Sequence, residues 1–259
     1  GNDTVTGGSG NDILLGGVFS AGPTVAAETG NDLLTGGDGD DTLFGDSWAL
    51  GTPFNFGLLG GNDTIGGGPG NDLAVGQAGN DLLFGDDGND TLLGADGNDK
   101  LRGGNGNDQL GGGAGHDLLL GDSGDDALAG GDGRDVLIGG LNADTLDGGA
   151  DDDILVAGTT SFDADDAALN QILAEWTSLR SYQSRVKNLQ GIGNGNPEFG
   201  NRLNGTVFLK KHGNKHDGVA TVFDDVDLDE LTGSSGDDWF LFEPALDELG
   251  DWVAGEEKN

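Results

Sequence analysis

The 259-residue sequence predicts a mainly-β solenoid closed by an α+β C-terminal cap. Three observations predict it. A nine-residue unit recurs along residues 1–156. Its sixth residue is always Asp and its eighth always apolar. After Gly158 both composition and periodicity change. Self-similarity at a fixed period is the signature of stacked repeats, in which each unit buries its apolar residue against the next.

Composition narrows the choice. Glycine supplies 54 residues, but only five prolines are present, which excludes collagen. The net charge of −36 and the few aromatics would suit disorder, were glycine and acid not held at fixed intervals. Such an excess of negative charge opposes compaction and repels a phosphate backbone. Nucleic acid is therefore excluded as a partner, and cations are the natural one. There is no cysteine and no apolar run long enough to span a membrane. The chain opens inside a repeat at Gly1-Asn2-Asp3, without a signal peptide, and is expected to be part of a longer protein.

The repeat reads Gly85-Asp86-Asp87-Gly88-Asn89-Asp90-Thr91-Leu92-Leu93, and from Gly67 to Val156 it runs without a slip. Counting a partial first unit, fifteen repeats place an acid at Asp3, Asp12, Asp32, Asp41, Asp63, Asp72, Asp81, Asp90, Asp99, Asp108, Asp117, Asp126, Asp135, Asp144 and Asp153. An acidic flexible linker would have no reason to keep Leu in phase with Asp.

This iterated unit resembles the RTX (hemolysin-type) family, whose nonapeptide is G-G-x-G-x-D-x-U-x. The resemblance covers residues 1–156 and a short stretch around Asp238. It implies a calcium-bound parallel β-roll with six-residue turns, three-residue strands and two repeats per coil. It also implies export by a bacterial type I secretion system.

Physical chemistry supports the same reading. Glycine at the first, second and fourth positions permits tight-turn dihedrals and lets carbonyl oxygens converge. Ca²⁺ is a hard ion that takes six to eight oxygens, and an Asp in each turn supplies charge that carbonyls lack. The sixteen expected ligands are the fifteen acids above and Asp238. Turns on one edge belong to alternate repeats, so each ion is expected between repeat n and repeat n+2. That gives roughly 13 sites and about +26 of charge against the chain's own excess. The strand's middle residue, such as Leu14, Leu83, Leu119 or Leu155, points inward.

Two insertions interrupt the turns without losing register, at 18–28 in the third repeat and 46–59 in the fifth. Both belong to odd-numbered repeats and are expected side by side on one edge. They carry Phe19, Val25, Trp48, Phe54, Phe56 and Leu58. This apolar surface either folds back over the roll or contacts a protein partner or a second copy.

Outward strand positions differ between the two faces. On the odd face Leu118/Leu120, Val136/Ile138 and Ile154/Val156 form an apolar stripe ending at Lys100/Arg102. The even face carries Gln109/Gly111, Ala127/Ala129 and Thr145/Asp147, which can meet water. Something is expected to cover the odd stripe.

Residues 159–259 are the expected cap. Over 163–190, Leu169, Ile172, Leu173, Trp176 and Leu179 follow helical spacing, and Tyr182, Val186 and Leu189 continue the face. Thr177-Ser178 is a possible break between two helices. Asp163, Asp165 and Asp166 at the start and Arg180, Arg185 and Lys187 toward the end suit the helix dipole. This face is expected on the odd stripe. Thr206–Leu209 and Val219–Phe223 read as strands flanking a basic turn. His212 and His216 in that turn are read as solvated, since no further His or Cys completes a zinc set there. Final repeat-like coils are expected over 224–242, with a degenerate unit at Leu228-Asp229-Glu230-Leu231-Thr232, Phe240 inward and Trp239 outward. Asp225–Asp229 is not an EF-hand loop, because Glu230 occupies the sixth position, which needs glycine.

Two functions fit. One is a calcium-dependent structural module of a secreted bacterial surface, adhesive or filament-forming protein, folding outside the cell. The other is the C-terminal calcium-binding and secretion domain of an exoenzyme, a protease or lipase, with its catalytic part upstream. The chain itself reads as non-enzymatic. Neither H-E-x-x-H nor G-x-S-x-G is present, and His116 occupies a turn position that other repeats fill with Asn or Asp. Ice binding would need a flat Thr array, and only Thr4/Thr6 offers such a pair.

Overall fold

The computed structural model describes residues 2–16, 19–20, 32–39, 41–45, 48–49, 60–190, 222–223, 229–235, 237–241, 248–249 and 257–258. His212, His216, Thr206–Leu209 and most of both insertions lie outside them.

Successive repeats alternate between two parallel sheets. Among the described residues one sheet has ten strands and the other nine, and each strand pairs with the one two repeats away. Thr91–Asp96, for example, lies between Leu73–Ala78 and Gln109–Ala114. The two-repeat coil is as expected, but the strands are longer. In the uninterrupted repeats they span six residues, running on through the first three turn positions, so that Ala95 pairs with Gly113 and Asp96 with Ala114. The backbone in those positions still offers N–H and carbonyl groups to the neighbouring coil, and pairing continues until the fourth position bends the chain.

Between the sheets lies one column of eighth-position side chains, including Leu14, Leu34, Leu43, Ile65, Leu83, Leu119 and Leu155. It continues through Leu231 and Phe240. Glu230–Thr232 adds to the even sheet beside Thr145–Ala150, and Trp239–Leu241 adds to the odd sheet beside Ile154–Val156. Repeat grammar thus resumes after the cap helices, with Asp229 in the place of a sixth-position Asp.

The helical segment is two helices, α1 (Asp166–Trp176) and α2 (Tyr182–Leu189). Asp165 caps α1, its side chain accepting from the N–H groups of Ala167 and Ala168. The break lies just beyond Trp176, so Leu179 sits in the connection and is fully exposed instead of continuing the apolar face. Leu169, Ile172, Trp176, Val186 and Leu189 bury the odd stripe of Leu118, Leu120, Val136, Ile138, Ile154 and Val156, together with Trp239 and Leu241. Gln109, Ala127, Ala129, Thr145 and Asp147 on the opposite face are exposed.

Cations of the roll and the cap fix this docking. Arg102 pairs with Asp122 and donates to the carbonyl of Asp163. Arg134 donates to the carbonyl of Ser178. Arg185 does not face solvent near the end of α2. It is buried, pairs with Asp152 and lies 4.6 Å over the Trp176 ring. Val222–Phe223 pairs antiparallel with Thr159–Thr160.

Candidate metal centres

Each sixth-position Asp ends a turn and begins a strand, which turns its side chain into the coil edge. From Asp32 to Asp153 these residues are buried, with 0–4% exposure. They form two ladders. On the odd edge the N–H of Asp63 donates to Oδ1 of Asp81, Asp81 to Asp99, Asp99 to Asp117, Asp117 to Asp135 and Asp135 to Asp153, at 2.7–2.8 Å. On the even edge Asp72 donates to Asp90, Asp90 to Asp108, Asp108 to Asp126 and Asp126 to Asp144. The ladders bridge both insertions, since Asp3 donates to Asp32, and Asp32 to Asp63.

One carboxylate oxygen is therefore used in holding coils together. The other, Oδ2, is buried without a hydrogen-bond partner at Asp41, Asp90, Asp99, Asp108, Asp117, Asp126, Asp135 and Asp153. A buried carboxylate oxygen with no donor is costly unless a cation meets it. Burial pushes the carboxyls of Asp90, Asp99, Asp117, Asp126 and Asp135 up to about 7, opposed by the backbone N–H that each accepts. Asp153, for the same reason, is pushed up to about 10.

Carbonyl oxygens meet these atoms. A Cβ added at Gly85 would lie 2.3 Å from Oδ2 of Asp90 and 2.5 Å from the carbonyl oxygen of Gly103. At Gly121 the distances are 2.4 Å to Oδ2 of Asp126 and 2.4 Å to the Gly139 carbonyl. The first-position glycine thus leaves a hollow faced by a carboxylate of its own repeat and a carbonyl from the next coil. Among the described residues no three His, Cys, Asp or Glu side chains gather round one point. A cation at these turns would take few carboxylates and complete its shell with backbone carbonyls, the donor set of a hard ion such as Ca²⁺.

Not every expected ligand has this setting. Asp3 is exposed and Asp12 half-buried, because no described coil precedes theirs. Asp238 is fully buried, and its Oδ1 accepts from the N–H of Asp153. Asp229, absent from the expected set, is equally buried and accepts from the N–H of Asp144 at 2.6 Å. His116 is a turn residue in a second ladder of fifth positions. Its N–H donates to Asn98, and its Nδ1 accepts from the N–H of Arg134.

Two parallel sheets joined by glycine-rich turns, with a buried carboxylate in each turn from Asp32 to Asp153, define a parallel β-roll. Residues 1–19, 24–47, 59–92, 84–119 and 120–155 match the RTX calcium-binding nonapeptide repeat (4 copies), and the chain belongs to that family. Its repeats bind calcium, and acids aligned along both edges suit multiple ions. The family's repeats imply a calcium-binding module of secreted, type I-exported proteins. The chain matches no curated protein. No helix of the described residues is long and apolar enough to cross a membrane.

Proposed function

We propose that this chain is a calcium-dependent structural module of a secreted bacterial surface, adhesive or filament-forming protein. In this reading Ca²⁺ ions lie along both ladders, with Asp32 to Asp153 and Asp238 as carboxylate ligands. Asp3 and Asp12 take the same role when a further coil covers them. The observation that carries it is the row of buried Oδ2 atoms facing carbonyl oxygens of the next coil. Where free Ca²⁺ is scarce, carboxylate repulsion keeps the chain open. Outside the cell, binding free energy becomes folding free energy. The reading gives the chain no catalysis, since its aligned carboxylates are occupied in inter-coil contacts.

The insertions 18–28 and 46–59 are its candidate contact for a protein partner or a second copy. Phe19–Ser20 pairs in parallel with Trp48–Ala49, which supports their emergence side by side. If Trp48→Ala with Phe56→Ala left assembly and binding unchanged, that assignment would be wrong. The folding claim is tested by circular dichroism and small-angle scattering with and without chelator. A compact, β-rich particle in millimolar Ca²⁺ and an expanded chain without it are expected. An unchanged profile on chelation would overturn the reading.

A further inference from the structure

The helical cap is placed within a turn. The sixteenth repeat begins with Ala157, in the first position after Ile154–Val156, and its sixth position is Asp229. Everything between them, including α1 and α2, is inserted in one even-edge turn. The turn carries Ala157 where its uninterrupted neighbours have glycine, yet it keeps two of their contacts. A Cβ at Gly139 would lie 2.4 Å from Oδ2 of Asp144 and 2.5 Å from the carbonyl oxygen of Ala157, as Gly121 does with Asp126 and Gly139. Asp229 is fully buried, and its Oδ1 takes the N–H of Asp144 as Asp144 takes that of Asp126. The next odd-edge turn is closed likewise. Asp238 accepts from Asp153 across 85 residues, and Gly233 leaves room for it, a Cβ there falling 2.1 Å from Oδ2.

We propose that Asp229 and the carbonyl of Ala157 belong to a further Ca²⁺ site, with Asp144, that latches the two ends of the helical insertion together. The proposal rests on the calcium reading of the ladders and extends it beyond the repeats of residues 1–155. Between uninterrupted repeats an ion would join coils only eighteen residues apart in sequence. Here it closes residues 158–228 into a loop whose helices lie on the odd face. Calcium then governs cap docking as well as stacking, because without the ion Asp144 and Asp229 are left as neighbouring buried acids. Both ends of the insertion would be released at once.

The test follows calcium binding and hydrogen exchange in the full chain, comparing Asp229→Asn with Asp90→Asn. Asparagine keeps an oxygen for the ladder hydrogen bond and removes the charge. In Asp229→Asn, bound calcium should fall by about one ion, and amide protection over 166–189 should fall at least about tenfold at limiting Ca²⁺. Asp90→Asn should lose calcium and keep the protection of α1 and α2. Should Asp229→Asn fail to fold, the unaltered chain titrated with Ca²⁺ decides. Protection of α1 and α2 should then appear no earlier in the titration than that of Thr145–Ala150 and Glu230–Thr232, and helices protected while those two strands still exchange freely would overturn the latch and leave the ladders standing. If Asp90→Asn loses calcium while Asp229→Asn binds and protects as the unaltered chain does, the latch is wrong and the ladders stand. If neither variant changes calcium binding, the ladder reading fails with it.

Discussion

The N–H of Asp90 donates to Oδ1 of Asp108 at 2.7 Å, across eighteen residues of chain, while Oδ2 of Asp108 is buried with no donor. One carboxylate thus divides its work between coil register and charge. Asp108→Asn should keep the first and lose the second, reducing bound calcium by one or two ions with the β signal intact at saturating Ca²⁺. Asp108→Ala should lose both and cost a further 1–3 kcal/mol or so for the N–H left buried. Calcium titration and thermal melts of the two variants check this. Equal behaviour of Asn and Ala would contradict it.

Acidity follows from the same burial. In the unfolded chain these carboxyls titrate near 4, whereas in the folded, metal-free chain several titrate at about 7. Between those values the folded form holds protons that the unfolded form has released. The stability of the metal-free roll should therefore fall as pH rises from about 4 through about 7. Ca²⁺ requires the deprotonated ligand, so in millimolar calcium the order should reverse. Small-angle scattering at pH 4.5 and 7.5, in calcium-free and calcium-loaded buffer, tests the crossing, the calcium-free chain being the more compact at pH 4.5 and the calcium-loaded chain at pH 7.5. Parallel pH profiles would rule it out.

Close coil approach makes the fourth-position glycine intolerant. A Cβ at Gly97 would lie 1.4 Å from the Gly79 carbonyl oxygen, at a φ of 153°. Gly97→Ala should prevent calcium-induced folding around its turn, read as lost exchange protection there. Ala95, in the second position, already has a φ of 83°, and Ala95→Gly should stabilise by about 1 kcal/mol. A neutral Gly97→Ala would show that the coils are not so closely stacked.

Arg185 tests the docking of the cap. It is buried against Asp152, donates to the carbonyl of Trp176 and lies over its ring. Arg185→Ala should cost about 3–5 kcal/mol, since it leaves Asp152 without its closest cation and opens a gap beside Trp176. Tryptophan fluorescence should then shift red as the Trp176–Trp239 contact loosens. An unshifted spectrum with unchanged stability would show that other contacts suffice.

Much of this arrangement was legible in the sequence because its causes are local. Asp, Leu and Gly at fixed spacing specify the turn, the inward side chain and the alternation of faces. The exposed or apolar outward positions then indicated which face needed a cover. Asp229 was not legible as a ladder member, because the helical insertion separates it from Ala157, the one turn residue left in register. Only Asp229-Glu230-Leu231-Thr232 kept the grammar. Arg185 was read from its place near a helix end, yet its contacts come from Asp152 on the roll. Leu179 fits helical spacing, but the helix ends beyond Trp176 and its position no longer turns inward.

Counting calcium bound to the intact chain by native mass spectrometry tests the central claim most directly. Buried carboxylates in two ladders predict on the order of a dozen ions at saturation, with binding that tracks compaction. A chain that reaches the same compact form with none, or with one or two, would contradict it.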